Sequence, residues 1–296
     1  MSLSTIGRPT VAASLLSAVP EQIVSPAVFY KMYEGTGTSF SDILGNGPAL
    51  TIVATETTTN LWSVPAYATP DSTGNSLIPS PLSNAVLHNL FDLSRIGDGQ
   101  LLLAWEFIFD GALTSNEHFF GYGADTNAAT AGGWWVNMNS SNQIQFASRG
   151  VTAGSAITTS FTGFNAHTSP QGGNSVPNAR ISLLMDVRVA NSLANINLYS
   201  NGNSVSGITD HNLLNGGTGL PGTQDVQPFC MWGRKNSTAG SAAANFTQKM
   251  GSAASNASMS LFFAMRRGTA SETLPLLLNT EFYARRGDYP RALIGA

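Results

Sequence analysis

The chain has 296 residues, 42% of them apolar and only 10% charged, against about a quarter charged in an ordinary soluble domain. Fourteen Lys and Arg against seventeen Asp and Glu exclude the basic surplus of a nucleic-acid binder, and the apolar and aromatic content excludes a disordered chain. No apolar run reaches the ~18 residues of a membrane helix, and a single cysteine, Cys230, rules out an intrachain disulfide framework or a multi-cysteine zinc site.

The first segment, residues 1–26, carries one base, Arg8, followed at once by Pro9, and Ser14 and Ser17 interrupt its apolar stretch. That is not the pattern of a secretory leader. Pro9, Pro20 and Pro26 disfavour a long helix, so the segment reads as an extended docking arm. From about residue 49, strand-like runs recur between Gly, Pro, Asn and Ser clusters. They are Ala49–Ala54, Leu101–Phe109, His118–Tyr122, Gly133–Met138, Gln143–Ser148, Arg180–Val189, Asn195–Ser200, Gln227–Trp232 and Ser258–Met265. Long polar stretches separate some of them, notably Gly150–Asn178, Thr209–Asp225 and Gly233–Asn256. One helix is expected, over Ser271–Ala284, with Ser271 as cap, Pro275 in the first turn, and Leu274, Leu277 and Leu278 at helical spacing.

Alternation sorts several strands into faces. Leu101, Leu103, Trp105, Phe107 and Phe109 form one apolar set, with Leu102, Ala104, Glu106 and Ile108 opposite. Trp134, Val136 and Met138 share a face, and Trp135, Asn137 and Asn139 the other; beyond the Ser140-Ser141-Asn142 turn, Ile144 and Phe146 oppose Gln143 and Gln145. A hairpin with one dry and one wet face follows. Two sheets packed face to face would take up the apolar residues, so the class is all-β.

Four stretches resemble a concanavalin A-like, laminin-G-like jelly roll. FYKMYEGTGTSFSDILGNGPALTI resembles its opening strand and "D-x-S-G-N-G" turn, with Asp42, Gly45, Asn46 and Gly47 in place and Leu44 where Ser is usual. LLLAWEFIFDG with HFFGYG resembles the strand pair that carries the aromatic core. RISLLMDVRVANSLANINLYSNGNSVSG resembles the paired strands ending in "Y-x-N-G", here Tyr199, Asn201 and Gly202, and SLFFAMRRGTASETLPLLL a late strand followed by a short helix. The resemblance implies a two-sheet antiparallel jelly-roll β-sandwich over residues 27–296 with one short C-terminal helix.

Such a fold hosts many roles, so function must come from sites. Glucan-cleaving relatives carry E-x-D-x-E on one strand. Here Glu106 and Asp110 flank Ile108, and four residues of strand span roughly 13 Å, against the 5–5.5 Å of a retaining pair. No nucleophile elbow or metalloprotease motif is present, and His88, His118, His167 and His211 are far apart in sequence. A non-enzymatic chain without a cofactor is expected. Calcium, common in laminin-G-like domains, needs several oxygen ligands; Asp42, Asp71, Asp92, Asp98 and Asp125 occupy turn-like contexts, but no two acids adjoin. A lectin surface is the alternative, with Trp135 as stacking ring and Asn137, Asn139, Gln143 and Gln145 as amides for a host-surface glycan.

Charge is divided along the chain. Residues 1–148 hold three Lys/Arg and eleven Asp/Glu; residues 149–296 hold eleven and six, including Arg266, Arg267, Arg285, Arg286 and Arg291. These arginines are candidate contacts to an acidic neighbouring subunit. Cys230, flanked by apolar residues, is expected to be a buried thiol. A neutral jelly roll with an arm resembles bacteriophage decoration, head-fibre or tail-fibre proteins. The expectation is therefore a virion structural protein, a homotrimer docked to other capsid or tail proteins through its arm.

Overall fold

The computed structural model describes residues 27–32, 39–52, 77–79, 84–110, 117–128, 131–153, 155–165, 179–221, 229–232, 234–235, 246–247 and 256–285. The arm, residues 1–26, lies outside the described residues. Sixteen strands and two helices are described in chain order. They begin with β1 (Ala27–Lys31), β2 (Ser39–Phe40), β3 (Leu50–Ile52), β4 (Leu77–Pro79) and α1 (Ala85–Phe91). Then come β5 (Gln100–Asp110), β6 (Glu117–Ala128), β7 (Ala131–Met138), β8 (Ile144–Arg149) and β9 (Ile157–Ser160). β10 (Ala179–Ala190), β11 (Leu193–Ser200) and β12 (Asn203–Asn212) form a meander. β13 (Phe229–Met231), β14 (Arg234–Lys235), β15 (Phe246–Thr247), β16 (Asn256–Arg267) and α2 (Leu274–Arg285) complete the chain.

The strands build a two-sheet sandwich. One sheet runs β1-β16-β5-β10-β11-β12, the other β2-β3-β4-β13-β6-β7-β8-β9, with β14 and β15 branching from β6. Pairing is antiparallel except for the β14–β6 bridge. Tight turns fix the meander: Asn191 and Ser192 (φ 50° and 67°) join β10 to β11, and Asn201 and Gly202 (φ 49° and 84°) join β11 to β12. Positive φ at both central residues suits the right-handed twist of a two-residue hairpin.

The inward residues form one core, and the alternation read from sequence assigns them correctly. Leu101, Leu103, Trp105 and Phe107 meet Phe120, Trp134, Val136, Met138, Ile144 and Phe146 across the sandwich. Phe120 stands edge-on to Trp105 at 5.1 Å, and Phe91 stacks on Phe229 at 4.5 Å. The opposite face of the smaller sheet is also buried. Leu102, Ala104, Leu184, Phe263 and Met265 pack with Leu274, Leu278 and Phe282 of α2 in a second apolar cluster. Helix α2 ends within a residue of the expected position but begins at Leu274, three residues after Ser271, whose Oγ accepts from Leu274 N–H at 3.3 Å.

The structure departs from expectation in three elements. A second helix, α1, is present beside the expected one; Asn84 Oδ1 caps it, accepting from Val86 and Leu87 N–H at 2.9 and 3.1 Å. Strand β9 lies inside the stretch Gly150–Asn178 read as loop, and β12 runs on to Asn212. Among the described residues no helix is long and apolar enough to cross a membrane.

Candidate functional site

The sequence singles out the outer face of the β7–β8 hairpin, and the structure brings most of its residues together. Asn137 Nδ2 donates to Gln145 Oε1 at 2.8 Å, and Gln145 Nε2 donates to Ser160 Oγ on β9 at 2.9 Å. His118 of β6 stands opposite Asn137, so a polar row crosses four strands. The remaining pair sits at the hairpin tip. Asn139 Oδ1 accepts from the N–H groups of Ser141 and Gln143 at 2.9 and 3.0 Å, closing an Asx turn, and its Nδ2 lies 3.4 Å from Gln143 Oε1.

One expectation fails here. Trp135, read as an open stacking ring on a wet face, is only 4% exposed, and Asn137 only 2%. Parity puts Trp135 on the outer face correctly, but a residue's face does not say whether that face meets water. The ring is no open platform, whereas Asn139, Gln143 and Gln145 stay partly exposed.

Of the arginines read as candidate subunit contacts, the structure places three. Arg266 and Arg267 are consecutive on β16 and so point to opposite sides of the sheet. The Arg266 guanidinium donates to the Asn89 carbonyl at α1, and burial first, then nearby Arg95, lowers its pKa against the pull of Asp92. Arg285 ends α2, while Arg286 and Arg291 lie outside the described residues.

The acids considered for catalysis and calcium are placed as follows. Glu106 is fully buried on the sheet face that carries α2, and Asp110 is the last residue of β5. Asp42 Oδ1 accepts from Phe29 and Leu44 N–H at 2.7 and 3.1 Å, and Oδ2 from Asn46 and Gly47 N–H at 2.8 and 2.7 Å. Four backbone N–H groups thus occupy the acceptor positions of this carboxylate. The turn also closes the free edge of β1: Ile43 N–H donates to the Phe29 carbonyl at 2.9 Å, and Asn46 Nδ2 to the Ala27 carbonyl at 2.9 Å. Burial, and then Asp42, hold the Tyr30 phenol beside it well above its ordinary pKa.

Asp92 is likewise engaged, accepting from Ser94 N–H and Oγ and, at 2.7 Å, from Arg95 Nε. Asp98 lies in the turn before β5, where its carbonyl accepts from Ala270 N–H. Asp125 belongs to β6, and Asp71 lies outside the described residues. Among the described residues no three His, Cys, Asp or Glu gather as a metal would need. Cys230 is buried, as its apolar flanks imply.

Sequence reasoning misses a polar seam under α2. Asp186 on β10 accepts from Gln100 Nε2 at 2.9 Å and from Arg188 Nη2 at 2.8 Å; Arg188 also binds Glu272 and the Ser271 carbonyl. Burial raises the Asp186 carboxyl above its ordinary value against the pull of Arg188 and Gln100. Burial alone would lower Arg188, but its bonds to Glu272 and Asp186 outweigh that and raise it. Further along, Asn279 donates to the Ser182 carbonyl at 3.3 Å and accepts from Gly202 N–H at 2.7 Å. The only sequence signal is Asp186 and Arg188 at strand spacing beside Leu184.

The fold is thus a jelly-roll sandwich with a helix on its smaller sheet. No protein-family model matches the chain, and neither does any curated protein sequence. Among solved structures it is similar to botulinum neurotoxin type C, in work on cell entry dependent on two ganglioside molecules (TM-score 0.49, 10% identity, 86% of this chain and 51% of that one). It is also similar to Trypanosoma rangeli sialidase in complex with sialic acid (TM-score 0.47, 10% identity, 95% and 40%). A third is the binding domain of botulinum neurotoxin DC in complex with rat synaptotagmin II (TM-score 0.47, 10% identity, 86% and 51%). The chain spans about half the length of the toxin chains and two fifths of the sialidase chain. At such identity and TM-score nothing about activity passes from those proteins to this one.

Proposed function

We propose that the chain is a non-enzymatic structural subunit of a bacteriophage-type virion, a homo-oligomer docked to the capsid or tail through residues 1–26. The observation that carries this reading is where the scarce polar chemistry goes. Asp42 ties the β1 edge, Asp92 ties α1 to the turn after it, and Asp186, Arg188 and Glu272 tie α2 to the sheet. Asp42, Asp92, Asp186 and His211 are each bonded into the scaffold. A chain with 10% charged residues has little colloidal repulsion and suits cover by neighbours. Ala27, the first residue after this segment, opens the edge strand β1, and Asn46 Nδ2 of the Asp42 turn holds its carbonyl.

The test is a peptide map of purified particles, followed by rebinding of purified protein to particles lacking it. The full chain should be present in stoichiometric amount and should rebind, and a chain lacking residues 1–26 should not. Absence from particles, or a stable monomer without affinity for them, overturns the proposal. A glycan-binding hairpin is the second reading, favoured by the partly exposed amides Asn139, Gln143 and Gln145. It predicts glycan-array signals that Gln143→Ala weakens, and a silent array counts against it.

A further inference from the structure

Strand β12 is an edge of the smaller sheet and β9 an edge of the larger, and one side chain bridges them. His211 on β12 places Nε2 2.8 Å from Ser148 Oγ on β8 and Nδ1 2.9 Å from Thr159 Oγ1 on β9. Its ring stands edge-on to Phe146 at 5.1 Å and is almost wholly buried. A neutral imidazole donates from one nitrogen and accepts at the other, and each hydroxyl can rotate to serve either role. Both hydroxyls can also accept from an imidazolium, so a charged ring keeps its two bonds; what it loses is solvation, being almost wholly buried.

Among the described residues no charged group stands against the ring to balance a charge there. β8 contributes Phe146 and Ser148, β9 Thr159, and β11 Ala194, which pairs with His211. Asp210, the preceding residue, is exposed. Arg149 follows Ser148 and so points to the opposite face of β8, where it donates to the Ala153 carbonyl. An imidazolium at this rim would lack both water and counter-ion. β9 is four residues long and largely half-exposed, and among the described residues its ladder pairs with β8.

We propose that His211 is an acid-sensitive clasp: neutral, it holds the β9 edge against β12; protonated, it releases β9 while the aromatic core between the sheets stays packed. Burial pushes its pKa down to about 4 in the closed form, against about 6.5 once the ring is in water. A base with a lowered closed-state pKa stabilises that state above the open-state value, and the contribution is lost as pH falls from about 6.5 towards 4. By linkage the opening equilibrium of β9 rises roughly seventyfold between pH 7.5 and 4.5.

Amide hydrogen exchange on the full chain, corrected for intrinsic rates, tests this. Opening of the β9 amides should rise roughly seventyfold across that range while those of β5 and β16 stay unchanged, and His211→Gln should flatten the β9 response. An unchanged β9, an equal response in the variant, or a uniform response through β5 overturns the proposal. If His211→Gln does not fold, Thr159→Val keeps the titrating ring. It should loosen β9 at pH 7.5 yet retain the acid response, and loss of that response refutes the clasp. Direct NMR titration of the ring should give a value below 5, and a value of 6 or more refutes it as well.

Discussion

Asp42→Asn is the sharpest test of how the β1 edge is held. Each carboxylate oxygen accepts two backbone N–H groups, at 2.7–3.1 Å. The asparagine keeps one oxygen for one pair and turns an NH₂ toward the other. Two bonds to a charged acceptor, each worth about 1.5–3 kcal/mol, are replaced by opposed donors. The turn is half-exposed, so water relieves part of the penalty, and about 3 kcal/mol is expected at the low end of that range. In urea, with a slope of about 3 kcal/mol per molar, the midpoint should fall by about 1 M with the slope unchanged. Equilibrium unfolding followed by tryptophan fluorescence measures it. A shift under about 0.3 M would show that the N–H groups find equivalent partners elsewhere. The same titration with calcium separates the nest from a metal site: calcium that raises the wild-type midpoint and not the variant's would refute the nest reading.

Three further changes probe the scaffold. Gly99→Ala should destabilise severely, because a Cβ there would lie 1.8 Å from the Arg267 carbonyl oxygen. Gly97→Ala, at φ +56° with open space around it, should cost only about 1 kcal/mol; equal melting temperatures for the pair would refute the close approach. Trp135→Ala should cost about 3–5 kcal/mol in chemical denaturation as a buried large-to-small change, and a cost under about 1 kcal/mol would mean that the ring is open to solvent. Asn279→Ala leaves the Gly202 N–H without its acceptor and should cost about 2 kcal/mol. Limited proteolysis should then cut first at α2, and cleavage that begins elsewhere would argue against this seam.

How much of this is legible in the sequence depends on what each residue's position needs. Leu101 to Phe107 alternate over a long run, so the two faces of β5 can be read directly, and Leu101, Leu103, Trp105 and Phe107 do line the main core. That Leu102 and Ala104 lie under a helix cannot be read, since the cover comes from Leu274, Leu278 and Phe282 far along the chain. β12 escapes because SVSGITDHN, as an edge strand with mostly exposed or half-exposed side chains, carries no apolar alternation. β9 is only four residues, and α1 only seven, too short for periodicity to speak. Arg266 and Arg267 are adjacent in a strand-like run, so strand parity already sends them to opposite faces; the Asn89 carbonyl that Arg266 meets lies far along the chain and is not legible.

The placement of the few charges follows from what hydrophobic burial cannot do. Apolar contact is non-directional, so α2 could slide on the smaller sheet at little cost from Leu274, Leu278 and Phe282 alone. Hydrogen bonds fix the register: Asn279 reads the Ser182 carbonyl and the Gly202 N–H, and Arg188 reads Asp186, Glu272 and the Ser271 carbonyl. The same logic holds at the β1 edge with Asp42, at α1 with Asp92 and Arg95, and between the sheet edges with His211. At each joint, layers or edges meet without a continuous ladder between them, and polar groups supply the direction that packing lacks. In a chain with only 10% charged residues, part of that small complement is spent on fixing how its layers and edges meet.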